Sequence, residues 1–343
     1  MAVNANDEIH VGLTGPVRSG KTNLFVDFAK CVELNFHGFR QLHNIKIETD
    51  RVNRKLLRSY YRNLPDATES VTDIRFDLEL DLPKRSQIEP VGALENRQFT
   101  IHVRDAPGEA AFPSTELTGK ANPHAEKAKE LDEWFSKAKG IVLVISALNA
   151  GTDEGFEALI DKVEDFFERA GKPEFENLER VAIAISMFDL LLLRFGNRSR
   201  DIATEPEAVL AILHAHMRPA FDIIKDFRPF PSQERDIDLR FIATSSYGFH
   251  PQLGCANIDA GAEILDPGNS RFPVPLTPDN VRYPYMTADP FIFAALGLDS
   301  PFLFTRDEIL SGILKERQEP AVAAEPAPKA PLQSPETSEN SPV

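Results

Sequence analysis

The chain is poor in cysteine. Two occur in 343 residues, Cys31 and Cys255, far apart and without metal-ligand spacing. A disulfide framework or a zinc centre is therefore not expected, and a reducing compartment fits. The chain is also short of positive charge. Lys and Arg number 38 against 53 Asp and Glu, a formal net charge of -15. Gripping nucleic acid or an anionic membrane needs clustered Lys and Arg, so neither is expected as a partner. Long apolar runs are missing as well. The most apolar, Val181–Phe195, is interrupted by Asp189 and is too short to span a bilayer. The opening MAVNANDEIH lacks the apolar core of a signal peptide. These features lead us to expect a cytoplasmic protein without membrane insertion.

What is present is concentrated in residues 9–31, IHVGLTGPVRSGKTNLFVDFAKC. Ile9, Val11 and Leu13 alternate as a strand does. The turn that follows, Gly15-Pro16-Val17-Arg18-Ser19-Gly20-Lys21-Thr22, fits the pattern G-x-x-x-x-G-K-[ST] of a phosphate-cradling loop. Its glycines allow successive N–H groups to point inward at an anion, at the positive end of the next helix. Lys21 can reach the β and γ phosphates, the Thr22 hydroxyl can ligate Mg²⁺, and Asn23 opens the helix behind them. Arg18 can be read as an arginine finger in cis or as a side chain turned to solvent.

Along the chain, a first helix is expected from Lys21 to Leu34, with Leu24, Phe25, Phe28 and Ala29 on one face. Residues 35–70 are polar and weakly periodic, with a short helix at Asn53–Tyr61. Ile74–Leu82 and Gln98–Arg104 read as an antiparallel ribbon at a sheet edge. Gly140–Ser146, Arg180–Met187 and Asp238–Ala243 are short apolar runs expected of buried parallel strands. Helices are expected at Ala125–Lys139, Phe156–Ala170, Asp289–Leu298 and Arg306–Lys315. A longer one, Glu205–Phe227, should kink at Pro219. Residues 249–290 read as an ordered loop insertion. From Gln318 the tail is Pro, Ala, Glu and Ser, a composition that predicts disorder.

Strand and helix alternate, which predicts an α/β fold: a doubly wound, mainly parallel sheet in three layers with one antiparallel edge ribbon. Residues 1–317 would form that domain. Ligands of such sheets sit at the carboxyl ends of the strands, where the motifs fall. Asp105 closes a strand and can hold Mg²⁺ through water. Gly108, in Asp105-Ala106-Pro107-Gly108-Glu109, can offer an N–H to the γ-phosphate. Thr68 is the candidate for a mobile hydroxyl completing the Mg²⁺ shell, with Thr72 as rival. Asp189 can accept two hydrogen bonds from the N1 and N2 edge of guanine, and Ser245 and Ser246 can face the guanine oxygen.

In this order, Gly15–Thr22, Thr68, Asp105–Gly108, Asp189 and Ser245–Ser246 resemble the five signatures of the translation-factor-like (TRAFAC) P-loop GTPases. Pro65-Asp66-Ala67-Thr68, Asp-x-x-Gly-Glu at 105–109 and the late Asp-Pro at Asp289 are most similar to the bacterial double-GTPase family. The resemblance implies a GTP-driven switch with a protein effector or activator, in a bacterial conflict or signalling system. GTP and GDP would be substrate and product, and Mg²⁺ the cofactor. The chain departs from the pattern in three places. Ser186-Met187-Phe188-Asp189 lacks the lysine whose stem covers the base, leaving Met187 or Phe188 to do so. Ser245-Ser246-Tyr247 replaces Ser-Ala-Lys. Glu109 stands where Ras-like enzymes carry a water-orienting glutamine: it adds repulsion near the γ-phosphate, or serves as a catalytic base if its pKa is raised, and slow intrinsic hydrolysis is expected. A scaffold that binds without appreciable hydrolysis, or an ATPase of the same fold, are the alternatives.

Overall fold

The computed structural model describes residues 7–16, 19–33, 37–39, 43–48, 55, 72–83, 94–105, 133–150, 177–226, 237–265, 271–277 and 281–315. Among them are ten strands: β1 (Asp7–Thr14), β2 (His43–Glu48), β3 (Thr72–Pro83), β4 (Leu94–Asp105), β5 (Gly140–Ser146), β6 (Arg180–Ser186), β7 (Asp238–Ala243), β8 (Asp259–Leu265), β9 (Arg271–Val274) and β10 (Phe304–Thr305). Eight form one mixed sheet in the order β10-β7-β6-β5-β1-β4-β3-β2. The five inner strands β7, β6, β5, β1 and β4 run parallel, while β3, β2 and β10 are antiparallel to their neighbours.

Burial explains which strands are central. GIVLVIS of β5 is buried at every position and RVAIAIS of β6 at all but its first. A strand covered on both faces has no polar face to show, so its sequence is continuous rather than alternating. Both faces are indeed covered. The register places Ile9, Ile101 and Phe76 side by side across β1, β4 and β3. Onto Phe76 packs Phe28 of α1 (Lys21–Glu33), ring centroids 5.0 Å apart, and Phe28 meets Phe291 of α7 (Asp289–Leu296) at 5.1 Å. The alternate residues point to the other face. There His10 neighbours His102 in register, and Trp134 sets its edge against His10 at 4.7 Å. One apolar core joins residues from Ile9 to Ile309.

The antiparallel ribbon at 74–104 is present as β3 and β4, with one correction: β2 pairs outside β3, so the edge belongs to β2. Only Ile45 and Ile47 alternate in HNIKIE, too short a period to show in a polar stretch. The 249–290 insertion contains a second sheet, the β8–β9 pair. The shorter helices between strands are α2 (Ala147–Ala150), α3 (Phe188–Leu192) and α4 (Ser199–Ala203). The expected long helix is divided at Pro219 as its missing N–H requires: α5 (Pro206–Met217), a 3₁₀ turn at Arg218–Ala220, then α6 (Phe221–Asp226). The last helix, α8 (Arg306–Ser311), is shorter than its pattern suggests because Gly312 adopts φ 68° and ends it. Its start is fixed by a capping box: Glu308 N–H donates to Thr305 Oγ1 at 3.3 Å, and Thr305 N–H donates to Glu308 Oε2 at 2.7 Å. The helices expected at Phe156–Ala170, most of Ala125–Lys139 and nearly all of Asn53–Tyr61, and the tail from Gln318, lie outside the described residues.

Candidate functional site

The sequence motifs follow the carboxyl ends of β1, β4, β6 and β7 at one edge of the parallel sheet. β1 stops at Thr14 and α1 begins at Lys21, with Gly15 at φ 150° and Gly20 at φ 86°, angles that a Cβ disfavours. A Cβ on Gly15 would stand 2.3 Å from Val144 O, so the loop lies directly against β5. Ser19 N–H donates to Pro16 O at 3.2 Å. The Lys21 ammonium folds back and donates to Gly15 O and Pro16 O, both at 2.8 Å. Lys21 is buried, so its charge is held inside the loop's curve rather than in solvent. The first turn of α1 contains no acidic side chain to offset the positive end of the helix. The Ser19 hydroxyl oxygen is buried without a partner among the described residues. Together these gather a buried cation, a buried hydroxyl and an open helix start in one glycine turn. Val17 and Arg18 lie outside the described residues.

Asp105 ends β4 and is in register with Leu13 of β1, so its backbone lies level with the start of the loop. Thr72 of β3 pairs with Asp105 in turn. Thr22 is half-buried behind Lys21. The Asp105 side chain lies outside the described residues. Among the described residues no group of three His, Cys, Asp or Glu converges. Thr68, Gly108 and Glu109 lie outside the described residues.

The second half of the site follows β6 and β7. Ser186, last residue of β6, donates from Oγ to Ser19 O at 2.5 Å, tying this strand to the phosphate loop. Met187 then takes a left-handed conformation, φ 60°, and α3 begins at Phe188. Asp189 is 3% exposed. Burial pushes its carboxyl up to about 7, opposed by hydrogen bonds from the Ser245 side chain and from the Asp189 and Leu190 backbone. Of the two apolar candidates to cover a base, Phe188 is excluded: it is fully buried and stacks on Tyr285 at 6.1 Å. Met187 is half-buried, its sulfur accepting from Ser146 Oγ at 3.4 Å. Ser245 is turned inward. Its N–H donates to Tyr285 O at 3.0 Å, and its Oγ accepts from Gly248 N–H at 2.8 Å. Its hydroxyl therefore lies against Asp189, while the half-buried Ser246 hydroxyl is bonded to Asp27.

The structure adds residues that the sequence reading did not single out. Arg282 Nη1 donates to Asn23 Oδ1 at 3.2 Å and to Asp27 Oδ2 at 3.4 Å, and Thr287 Oγ1 donates to Asp27 O at 3.1 Å. Burial pushes Asp27 up to about 6, while the Arg282 charge and the Ser246 hydroxyl draw it down. The one available signal was an aspartate three places after Leu24 on the apolar face of α1. Nothing in the period-free stretch around Arg282 pointed to its partner.

A cavity of about 880 Å³ lies at the opposite, amino ends of β6 and β7, around Arg180, Asp238, Arg240 and Gly297. Its arginines are engaged. Arg180 pairs with Glu179 and donates to Ala295 O at 3.0 Å, and Arg240 pairs with Asp238 at 2.7 Å. None of the motif residues lines this cavity.

No family model matches the chain, and no curated protein matches it. Among solved structures, a bacterial selenocysteine-specific elongation factor is similar to it at a TM-score of 0.31 and 12% identity. The match covers 69% of this chain and 26% of that protein, so the chain spans about a quarter of its length.

Proposed function

We propose that the chain is a Mg²⁺-dependent guanine-nucleotide-binding protein that hydrolyses GTP slowly and acts as a nucleotide-controlled switch for a protein partner. The observation that carries this reading is the loop between β1 and α1. Two glycines at positive φ, a buried ammonium within the curve and an unopposed helix start form a cradle for phosphate. Backbone N–H groups of the loop after Pro16 and of the first turn of α1 would surround the β-phosphate, and Lys21 would exchange its two loop carbonyls for β and γ oxygens. Thr22 and Asp105 would hold Mg²⁺, whose chemistry there would be neutralisation of phosphate charge. Thr68 and the Gly108 N–H would join once the γ-phosphate is present, which is how a bound triphosphate orders a switch segment. Asp189 would read the guanine edge, with Ser246 beside the guanine oxygen and Ser245 as its orienting partner.

The binding-only scaffold remains the second reading, favoured by Glu109 in place of a water-orienting glutamine. A titration of GTP, GDP, ATP and ADP with Mg²⁺, followed by single-turnover hydrolysis, tests both. We expect GTP and GDP to bind more tightly than ATP and ADP, with slow phosphate release. Equal ATP affinity would refute the guanine assignment, and the absence of any release would leave the scaffold.

A further inference from the structure

Residues 281–287 have no sequence period, yet they tie the base end of the site to its phosphate end. Their backbone pairs with the turn after β7. Tyr285 N–H donates to Ser245 O at 2.7 Å, the reverse bond measures 3.0 Å, and Tyr283 N–H donates to Tyr247 O at 3.1 Å. Asn257 holds the same turn from the other side, Nδ2 donating to Tyr247 O at 3.2 Å and Val281 O at 2.9 Å. No slack remains: a Cβ on Gly248 would stand 1.6 Å from Tyr283 O. The side chains of the strap reach the other way, Thr287 to Asp27 and Arg282 to Asn23 and Asp27. Both anchors are on α1: Asn23 directly follows Lys21 and Thr22, and Asp27 lies about one turn further on.

Arg282 is 3% exposed, and its guanidinium carbon stands 5.6 Å from the centroid of the Tyr247 ring. A cation this buried persists only where partners compensate its lost hydration. Here one carboxylate, one amide oxygen and one ring face do so, and this fixes the ring in return. Tyr247 is half-buried, directly follows Ser246, and its hydroxyl is pushed up by burial and by the nearby Asp189 and Asp27 carboxyls. An aromatic face beside a carboxyl placed to read a base edge is a stacking surface for that base.

We propose that Arg282 is a positioning residue of the nucleotide site: through Asp27, Asn23 and Tyr247 it locks the base turn to α1 and presents the Tyr247 ring as the platform for the purine. The inference rests on the phosphate-loop reading above. Arg282 is itself too buried to touch nucleotide, so its effect passes through Tyr247.

The test is calorimetric titration of the full chain with GTP and with inorganic tripolyphosphate, each with Mg²⁺. The proteins are the parent, Tyr247→Phe, Tyr247→Leu, Arg282→Lys, and Arg282→Met combined with Asp27→Asn. The double substitution removes both charges and strands neither. Tyr247→Leu and the double variant should lose roughly tenfold in GTP affinity, the scale of one base-stacking contact, with tripolyphosphate affinity unchanged. Tyr247→Phe should match the parent, and Arg282→Lys should retain part of what the double variant loses. Equal losses for GTP and tripolyphosphate, or no loss in Tyr247→Leu, would overturn the platform and leave the phosphate-loop reading standing. A parent that binds neither ligand overturns both. If the double variant does not fold, the two Tyr247 variants decide the matter.

Discussion

Ser186 Oγ donates to Ser19 O at 2.5 Å, and that bond joins the end of β6 to the phosphate loop. Ser186 is buried, and its hydroxyl also lies 3.3 Å from Ile145 O. Removing it leaves a carbonyl of the loop without its donor. The cost of a buried, unsatisfied polar group is about 1–3 kcal/mol. Ser186→Ala should therefore lower the melting temperature by several degrees and weaken triphosphate binding together. A variant that loses stability while binding GTP like the parent would show that the bond supports the sheet only.

Lys21 makes two charge-assisted bonds to its own loop, and in the proposed complex phosphate oxygens would take the place of both carbonyls. Lys21→Ala should cost roughly tenfold or more in triphosphate affinity, on the order of 1.5–3 kcal/mol. Unchanged affinity in a folded variant would remove the cradle from the phosphate reading.

Thr22 is the second residue of α1, and Asp105 closes β4 in register with Leu13 of β1. Thr22→Ala and Asp105→Ala should each make triphosphate binding less dependent on Mg²⁺, because a ligand or its orienting partner is lost. If both variants titrate with Mg²⁺ like the parent, Asp105 serves the turn alone.

The parts legible in the sequence were those with a local cause. A run such as GIVLVIS can only be a covered strand, and the boundaries of β5 and β7 match the apolar runs at Gly140–Ser146 and Asp238–Ala243. The break at Pro219 follows from one missing N–H. The unread parts depend on partners distant in the chain. Arg282 meets Asp27 across 255 residues, and Gly38 N–H donates to Asp289 Oδ1 at 2.9 Å across 251. Neither neighbourhood shows a period, because one polar contact recruits no apolar stripe. Phe188 was misjudged for the same reason: its place in the core depends on Tyr285, which arrives from the strap.

Asp289 offers a pH test. It is fully buried, accepts from Gly38 N–H and from Ser300 Oγ at 3.1 Å, and has its Oδ2 without a partner among the described residues. Burial pushes it from 3.8 up to about 7. Between those values the folded chain holds a proton that the unfolded chain has released. Stability from this group is thus complete below pH 3.8, falls as pH rises, and is lost above about 7. The slope is at most about 1.4 kcal/mol per pH unit. Asp27 and Asp189 slope the same way. Asp289→Asn keeps an acceptor for Gly38 and cannot ionise, so its melting temperature should fall less between pH 5.5 and 8 than the parent's. An identical pH slope in both proteins would mean that Asp289 is ionised in the fold.

Asp189 joins base choice to pH. Burial holds its carboxyl at about 7 without ligand, and a guanine edge would supply the two donors that favour the ionised form. Guanine affinity should then drop as pH falls below 7, approaching tenfold per unit, because binding must first remove the proton. The phosphates of every nucleotide titrate alike, so the GTP-to-ATP affinity ratio isolates the base end. Asp189→Asn should make that ratio independent of pH and move it toward one, a change on the order of a few kcal/mol. Its amide would also offer a donor toward the C2 oxygen of xanthine, so XTP should gain. Met187, the remaining apolar cover, cannot mimic this, since an aliphatic contact neither titrates nor distinguishes base edges. The measurement is GTP, ATP and XTP affinity at pH 6, 7 and 8 for both proteins. A parent whose GTP-to-ATP ratio stays constant over that range shows that a different group reads the base. The N–H of Ser246 is then the group to test, since Ser245 has already given its own N–H to Tyr285.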